Sequence, residues 1–317
     1  CQYQPDLANV YVIDDLANKL SVFASAFYGE PSTQFKLVGV TGTNGKSTVT
    51  SMIANLASAP EQKTGVIGTL GWGQTEKLTP LANTTPSAID LQDLFWQMRD
   101  YELVAMEVSS HGLVQKRVAH SAFDIAVFTN LSRDHLDYHG SIESYFSAKK
   151  KLFTDILKKQ SAVAINIDNE FGKKLYEEIA SKNHLILTFG ENEKANIRIK
   201  SITHNKQTLN ISLEFRNKIY DATLGMIGKF QAYNVIASAT ICIALGMEPS
   251  FVFKSLSYLK PARGRMEIVA GENHNSTIIS DYAHTPEALK SVLLSLKEIK
   301  KNNGKLITLF GCGGDRD

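Results

Sequence analysis

The chain alternates short apolar runs with longer stretches whose apolar residues recur every three or four positions. Leu37-Val38-Gly39-Val40 has the length of a buried strand, and Val49, Met52, Ile53 and Leu56 follow it at helical spacing. Leu103–Val108, Ile125–Thr129, Ala162–Ile167 and Leu185–Phe189 read as further buried strands, with helical stretches between most of them. Such alternation predicts a mainly parallel sheet wrapped by helices. Residues 196–224 differ. There Ile197–Ile199, Leu209–Phe215 and Ile219–Leu224 alternate with polar residues, the pattern of a small antiparallel patch with one wet face. A helix is predicted from Gln231 to Leu245.

Residues 1–35 hold one amphipathic stretch, Leu16 to Phe27, and close on Gly29-Glu30-Pro31-Ser32, which reads as a lead-in rather than a domain. Pro261-Ala262-Arg263-Gly264-Arg265 reads as a hinge. Beyond it Met266–Ala270, Thr277–Ser280 and Lys305–Phe310 predict strands, and Pro286–Lys300 a helix. That segment is shorter than a doubly wound domain of roughly 100–150 residues. The expected architecture is therefore α/β in three parts: 1–35 as a remnant or linker, 36–260 as a central P-loop-type domain, and 261–317 as the start of a Rossmann-like domain, cut short.

Composition narrows the class. Hydrophobic residues make up 43% and charged residues 21%, which suits a soluble chain with a real core. A net charge of +2 without a basic stripe argues against nucleic acid. Cys1, Cys242 and Cys312 are odd in number and far apart, so neither zinc nor a disulfide framework is expected, and a reducing, cytoplasmic setting is. No apolar run has the length of a membrane span. A chain that begins with Cys is read as trimmed rather than as a mature lipoprotein.

The strongest chemical signal is Thr41-Gly42-Thr43-Asn44-Gly45-Lys46-Ser47-Thr48, set between a strand and a helix. That is the context of a phosphate loop: glycines let the backbone N–H groups turn inward, and the helix N-terminus adds partial positive charge. Lys46 would reach the β- and γ-phosphates, and Ser47 or Thr48 would offer a hydroxyl to Mg²⁺. Val40 stands where the general pattern has its first glycine, with Gly42 as partial substitute. Glu107 ends a predicted strand, where α/β sheets gather ligands, and a carboxylate there can hold Mg²⁺. Taken alone, His135 reads as a hydrogen-bonding loop residue and Lys149-Lys150-Lys151 as a solvated helix face.

Several motifs occur in order: Gly42–Thr48, Asn83-Thr84-Thr85, Met106–Leu113, Thr129–Gly140, Gly264–Glu267, Asp281–Pro286 and Gly311–Asp317. Together they resemble the Mur ligase family, and within it the MurE type, over residues 36–317. The resemblance implies an ATP- and Mg²⁺-dependent amide ligase of cell-wall synthesis. Such an enzyme adds a diamino acid to UDP-N-acetylmuramoyl-L-Ala-D-Glu through an acyl phosphate. It implies ATP contacts from Gly42 to Thr48 and from Asn234, Arg265 and Asp281. Substrate contacts are implied from Asn83, Thr84, Thr85, Ser109, Gln115, Arg117 and Arg316. Metal contacts are implied from Ser47, Glu107, His135 and Lys149, the last as a carbamylated lysine. Residues 1–35 would then be the remnant of a UDP-binding domain, and 261–317 the start of an amino-acid-binding one, in a monomer. The Gly311–Asp317 segment looks more like diaminopimelate-adding than lysine-adding enzymes. The lysine-adding form, a folylpolyglutamate synthetase and a non-catalytic nucleotide-binding protein stand as alternatives.

Overall fold

The computed structural model describes residues 11–58, 62–205, 207–270, 276–300 and 303–311. In chain order the helices are α1 (Leu16–Phe27), α2 (Lys46–Ala57), α3 (Ala88–Gln97), α4 (Ser110–Val114), α5 (Leu136–His139), α6 (Ile142–Lys151), α7 (Glu170–Ile179), α8 (Lys229–Ala244), α9 (Pro249–Ser255) and α10 (Pro286–Ile299). The strands are β1 (Lys36–Thr41), β2 (Thr64–Gly68), β3 (Gly71–Gln74), β4 (Lys77–Thr79), β5 (Leu103–Glu107), β6 (Ile125–Phe128) and β7 (Ala162–Asn166). They continue with β8 (Leu185–Gly190), β9 (Ile197–Asn205), β10 (Thr208–Phe215), β11 (Lys218–Leu224), β12 (Glu267–Ala270) and β13 (Ile278–Ser280).

The first eleven strands form one sheet in the order β11-β10-β9-β8-β7-β6-β1-β5-β2-β3-β4. Its centre, from β9 to β2, is parallel, as the strand–helix alternation predicts. β10 and β11 close one edge antiparallel and β3 and β4 the other. The wet-faced patch at 196–224 is thus a continuation of the main sheet, joined through β8 and β9. Successive side chains of a strand leave on opposite faces. Val38 and Val40 accordingly enter the core under α2 and α8, and Leu37 enters the core on the other face. α8 is apolar nearly all round because it is buried, against α2 and the sheet.

Three strands lie outside the predicted set, and one predicted strand needs correction. β2 and β3 were not legible, since Gly65, Gly68, Gly71 and Gly73 interrupt any apolar run, and β4 is only Lys77-Leu78-Thr79, with one apolar residue. Lys305–Phe310 forms no strand: no described segment pairs with it, and Ile307 and Leu309 stand 87% and 99% exposed. β12 and β13 pair antiparallel in a separate ladder. At the other end α1 packs on α3, and the Ser21 and Ser32 hydroxyls accept from the His120 and Ala122 N–H groups, both at 3.0 Å. Among the described residues no helix is long and apolar enough to cross a membrane.

Candidate functional site

β1 lies between β5 and β6, and the chain leaves it to opposite sides of the sheet. Crevices open at such switch points, beyond the carboxyl ends of the strands. Here a cleft of about 770 Å³ lies over β1, β5, β6 and β7 and is walled on its far side by Arg265, Asp281, Tyr282 and α10.

The phosphate loop forms its floor. α2 starts at Lys46, and Gly45 precedes it at φ 90°. A Cβ on Gly45 would stand 2.4 Å from Asn234 Oδ1, and one on Gly42 would stand 2.0 Å from Thr129 Oγ1. The loop therefore needs glycine at both places for close approach as well as for its turn. Lys46 Nζ folds back to donate to the Gly42 and Thr43 carbonyls, each at 2.9 Å. Burial lowers its pKa, against the opposing pull of Glu107 and Asp134.

Glu107 stands buried at the end of β5, where its carboxylate accepts from the Thr69 N–H at 2.8 Å and the Thr69 hydroxyl at 3.2 Å. Thr84 Oγ1 lies 3.0 Å from Thr69 Oγ1. Ser109 caps α4 by accepting from the Gly112 N–H at 3.0 Å. Thr85 is spent on structure: its hydroxyl donates to the Glu107 carbonyl and accepts from the Ser109 N–H. Arg117 donates to the Thr85 carbonyl at 2.7 Å and to Gln115 Oε1 at 2.8 Å. Asn83 is exposed on the adjoining turn.

His135 caps α5 in a left-handed conformation, φ 53°, with Asp134 accepting from its N–H at 2.9 Å. Its ring stands edge-on to His111 at 4.9 Å, and burial lowers its pKa. Lys149 is no solvated face: it is 1% exposed, donates to the Gly42 carbonyl at 2.9 Å and lies 4.5 Å from the centre of the Tyr145 ring. Burial, then the neighbouring Lys46, push its pKa well below the usual lysine value. One turn of π-helix follows at Leu152–Ile156, a distortion frequent near functional sites.

Across the cleft Arg265 donates to Ser47 Oγ at 3.1 Å with its guanidinium 4.7 Å from the Tyr282 ring centre. Asp281 accepts from the Met266 and Ala283 N–H groups, both at 2.8 Å, and burial raises its pKa. Asn234 donates to Gln231 Oε1 at 3.0 Å and packs on Gly45.

The cleft thus gathers Thr43 to Thr48, Thr84, Glu107, Ser109, His135, Asn234, Arg265 and Asp281. Gly42 and Lys149 lie beneath it, while Asn83, Thr85, Gln115 and Arg117 lie outside its lining. Arg316 falls outside the described residues. Sequence reading passed over Asp168, which lines the cleft, accepts from the Tyr233 hydroxyl at 2.8 Å and ties down the Glu191 and Asn192 N–H groups. Its place just past β7 was the available signal, by the same strand-end rule that singled out Glu107.

Residues 40–242 match the Mur ligase middle domain. The chain belongs to the Mur ligase family. Residues 264–317 match the Mur ligase glutamate ligase domain. Similar curated proteins include the UDP-N-acetylmuramoyl-L-alanyl-D-glutamate--2,6-diaminopimelate ligases of Geobacillus kaustophilus, 38% identical over 97% of this chain and 63% of that protein, and of Chromobacterium violaceum, 39% identical over 99% and 62%. This Mur ligase chain therefore spans about three fifths of their length. A solved structure bearing the same ligase name matches at TM-score 0.80 and 31% identity, covering 99% of this chain and 64% of that one. A Mycobacterium tuberculosis folylpolyglutamate synthase shares the fold at TM-score 0.73 and 16% identity, over 90% of this chain and 71% of that one.

Proposed function

We propose that this chain is the nucleotide-handling part of an ATP-dependent ligase that adds meso-diaminopimelate to UDP-N-acetylmuramoyl-L-Ala-D-Glu. The observation that carries the reading is one cleft in which a phosphate loop faces the Glu107, Thr84 and Ser109 wall. The diaminopimelate ligases among its relatives support the choice of amino acid. In this reading residues 36–260 bind ATP, 261–317 begin the amino-acid-binding part, and 1–35 lead from a UDP-binding part. The protein works as a cytoplasmic monomer.

The chemistry follows from electrophilicity. A carboxylate is a poor electrophile, so its oxygen first attacks the γ-phosphorus of ATP, releasing ADP and leaving an acyl phosphate. The amine then adds to the acyl carbon, and phosphate departs as the amide forms and a proton is lost. Lys46, the N–H groups at the start of α2 and Arg265 offset charge on the moving phosphoryl group. Thr84, Ser109 and, from behind, Arg117 orient the acceptor.

Ser47 and Glu107 offer hard oxygens on the cleft wall beside Lys46, with His135 close by, and that donor set fits Mg²⁺. Among the described residues no three acidic, His or Cys groups converge as a cage, so phosphate and water would supply the remaining ligands. Bound Mg²⁺ supplies charge neutralisation on the phosphates. Lys149 fits carbamylation: a shielded lysine held neutral attacks CO₂ through nitrogen, loses one proton and becomes a carboxylate-like anion.

The test supplies the full-length protein with ATP, Mg²⁺ and the UDP-linked dipeptide, then diaminopimelate or lysine, and measures phosphate and the product mass. Diaminopimelate-dependent release with a tripeptide product is expected. Stimulation by lysine instead would change the amino acid. Silence with both, and turnover with a folate acceptor, would overturn the reading.

A further inference from the structure

The Thr43–Asn44 stretch of the phosphate loop is held by two residues that follow β6. The Thr43 N–H donates to the Asn130 carbonyl at 2.9 Å. The Asn130 side-chain amide then pairs with the backbone of Asn44 in both directions. Its Oδ1 accepts from the Asn44 N–H at 2.9 Å, and its Nδ2 donates to the Asn44 carbonyl at 3.1 Å. Thr129 Oγ1 gives that same carbonyl a second donor at 2.7 Å.

This pairing divides the loop's N–H groups into two sets. Those of Thr43 and Asn44 are consumed by Asn130. Those of Lys46, Ser47 and Thr48, in the first turn of α2, have no intrahelical acceptor, as the first N–H groups of any helix do not. The cradle open to an anion is therefore the helix end. The Asn44 carbonyl is the loop's hazard. The next residue, Gly45, lies at φ 90° and tolerates a rotated peptide. Released from its two donors, that carbonyl could turn toward the cleft and set a partial negative charge against a phosphate.

Resting on the nucleotide-binding reading above, we propose that Asn130 is a positioning residue for ATP. It fixes the Asn44–Gly45 peptide so that the loop presents donors to the phosphates, with Thr129 as its auxiliary. Asn130 touches no reacting atom in this account. Its effect belongs to the nucleotide and leaves the acceptor alone.

The experiment measures the affinity of the full-length protein for a non-hydrolysable ATP analogue, the KM values for ATP and for the UDP-linked acceptor, and the melting temperature. Asn130→Ala weakens analogue binding about tenfold and raises the ATP KM, while the acceptor KM stays within error. Thr129→Val, which keeps the side-chain shape, weakens binding in the same direction by about threefold. The double variant loses less than the product of the two, because both side chains hold one carbonyl. If Asn130→Ala fails to fold, Thr129→Val carries the test alone. Unchanged analogue affinity in folded Asn130→Ala, or an equal loss in acceptor KM, overturns the proposal and leaves the ligase reading standing. A wild-type protein that binds no analogue overturns both.

Discussion

Lys46 and Lys149 donate to one and the same oxygen, the carbonyl of Gly42, at 2.9 Å each. Two ammonium groups so placed repel one another in a site that burial has already made hostile to charge. Lys149 yields: it is the more deeply enclosed, and its pKa falls well below the usual lysine range. A carbamate retains one N–H, so its bond to Gly42 would survive modification while its charge complements Lys46. Protein equilibrated with ¹³C-bicarbonate should gain one labelled carbonyl resonance that Lys149→Ala lacks. That variant should lose about a hundredfold or more in turnover. Full turnover in Lys149→Ala, or in protein stripped of bicarbonate, would remove the carbamate from the account.

Gly45→Ala tests the floor of the cleft. The new methyl meets Asn234 Oδ1 and forces a left-handed conformation on a residue with a side chain. A cost of about 1–3 kcal/mol is expected, read as a lower melting temperature together with weaker nucleotide binding. Wild-type affinity in this variant would mean that the loop relaxes without consequence.

Arg265 spans the cleft from the hinge to Ser47 with its guanidinium over Tyr282. In the proposed reaction it meets charge that develops during transfer. Arg265→Ala is therefore expected to lower kcat about a hundredfold with a smaller change in ATP KM. Arg265→Lys should recover little, since a lysine cannot reproduce the planar fork. A change confined to KM would make Arg265 a ground-state contact.

His139 gives a pH signature separate from turnover. Its Nε2 lies 2.9 Å from Ser110 Oγ. Burial, the largest cause, lowers its pKa to about 4. Between that value and the ordinary histidine value the unfolded chain binds the extra proton and the folded one does not. Stability from this group is therefore intact above about pH 6.5 and is lost as the pH falls toward 4. Melting temperatures of wild type and His139→Gln should diverge across that window, the variant falling less. Parallel curves would assign the acid sensitivity elsewhere.

What the sequence made legible follows from how local each signal is. The parallel strands were readable because burial on both faces leaves continuous apolar runs, as in Val163 to Ile165. β2 and β3 were not, because glycine in β2 answers to the close approach of Tyr101 and Glu107, and in β3 to the Thr79 and Lys77 carbonyls of the neighbouring strand, rather than to strand propensity. The Lys305–Phe310 run has the composition of a strand, but a strand is defined by its neighbour. In the site, the phosphate loop was readable from its own residues. Lys149 was not: three lysines in a row look solvated, and the Gly42 and Tyr145 contacts that bury one of them lie far away in sequence. The pairing of Asn130 with Asn44 had no local signal at all.

The claim at the centre is that a carboxylate is activated by direct phosphorylation over this cleft. Isotope transfer tests it most directly. The UDP-linked dipeptide would be prepared with ¹⁸O in its D-glutamate side-chain carboxylate and turned over with ATP, Mg²⁺ and diaminopimelate by the full-length protein. The released phosphate would then be weighed. One ¹⁸O atom per phosphate is the predicted result, because the attacking oxygen leaves with the phosphoryl group when the amide forms. Unlabelled phosphate accompanying amide formation would contradict the acyl-phosphate route.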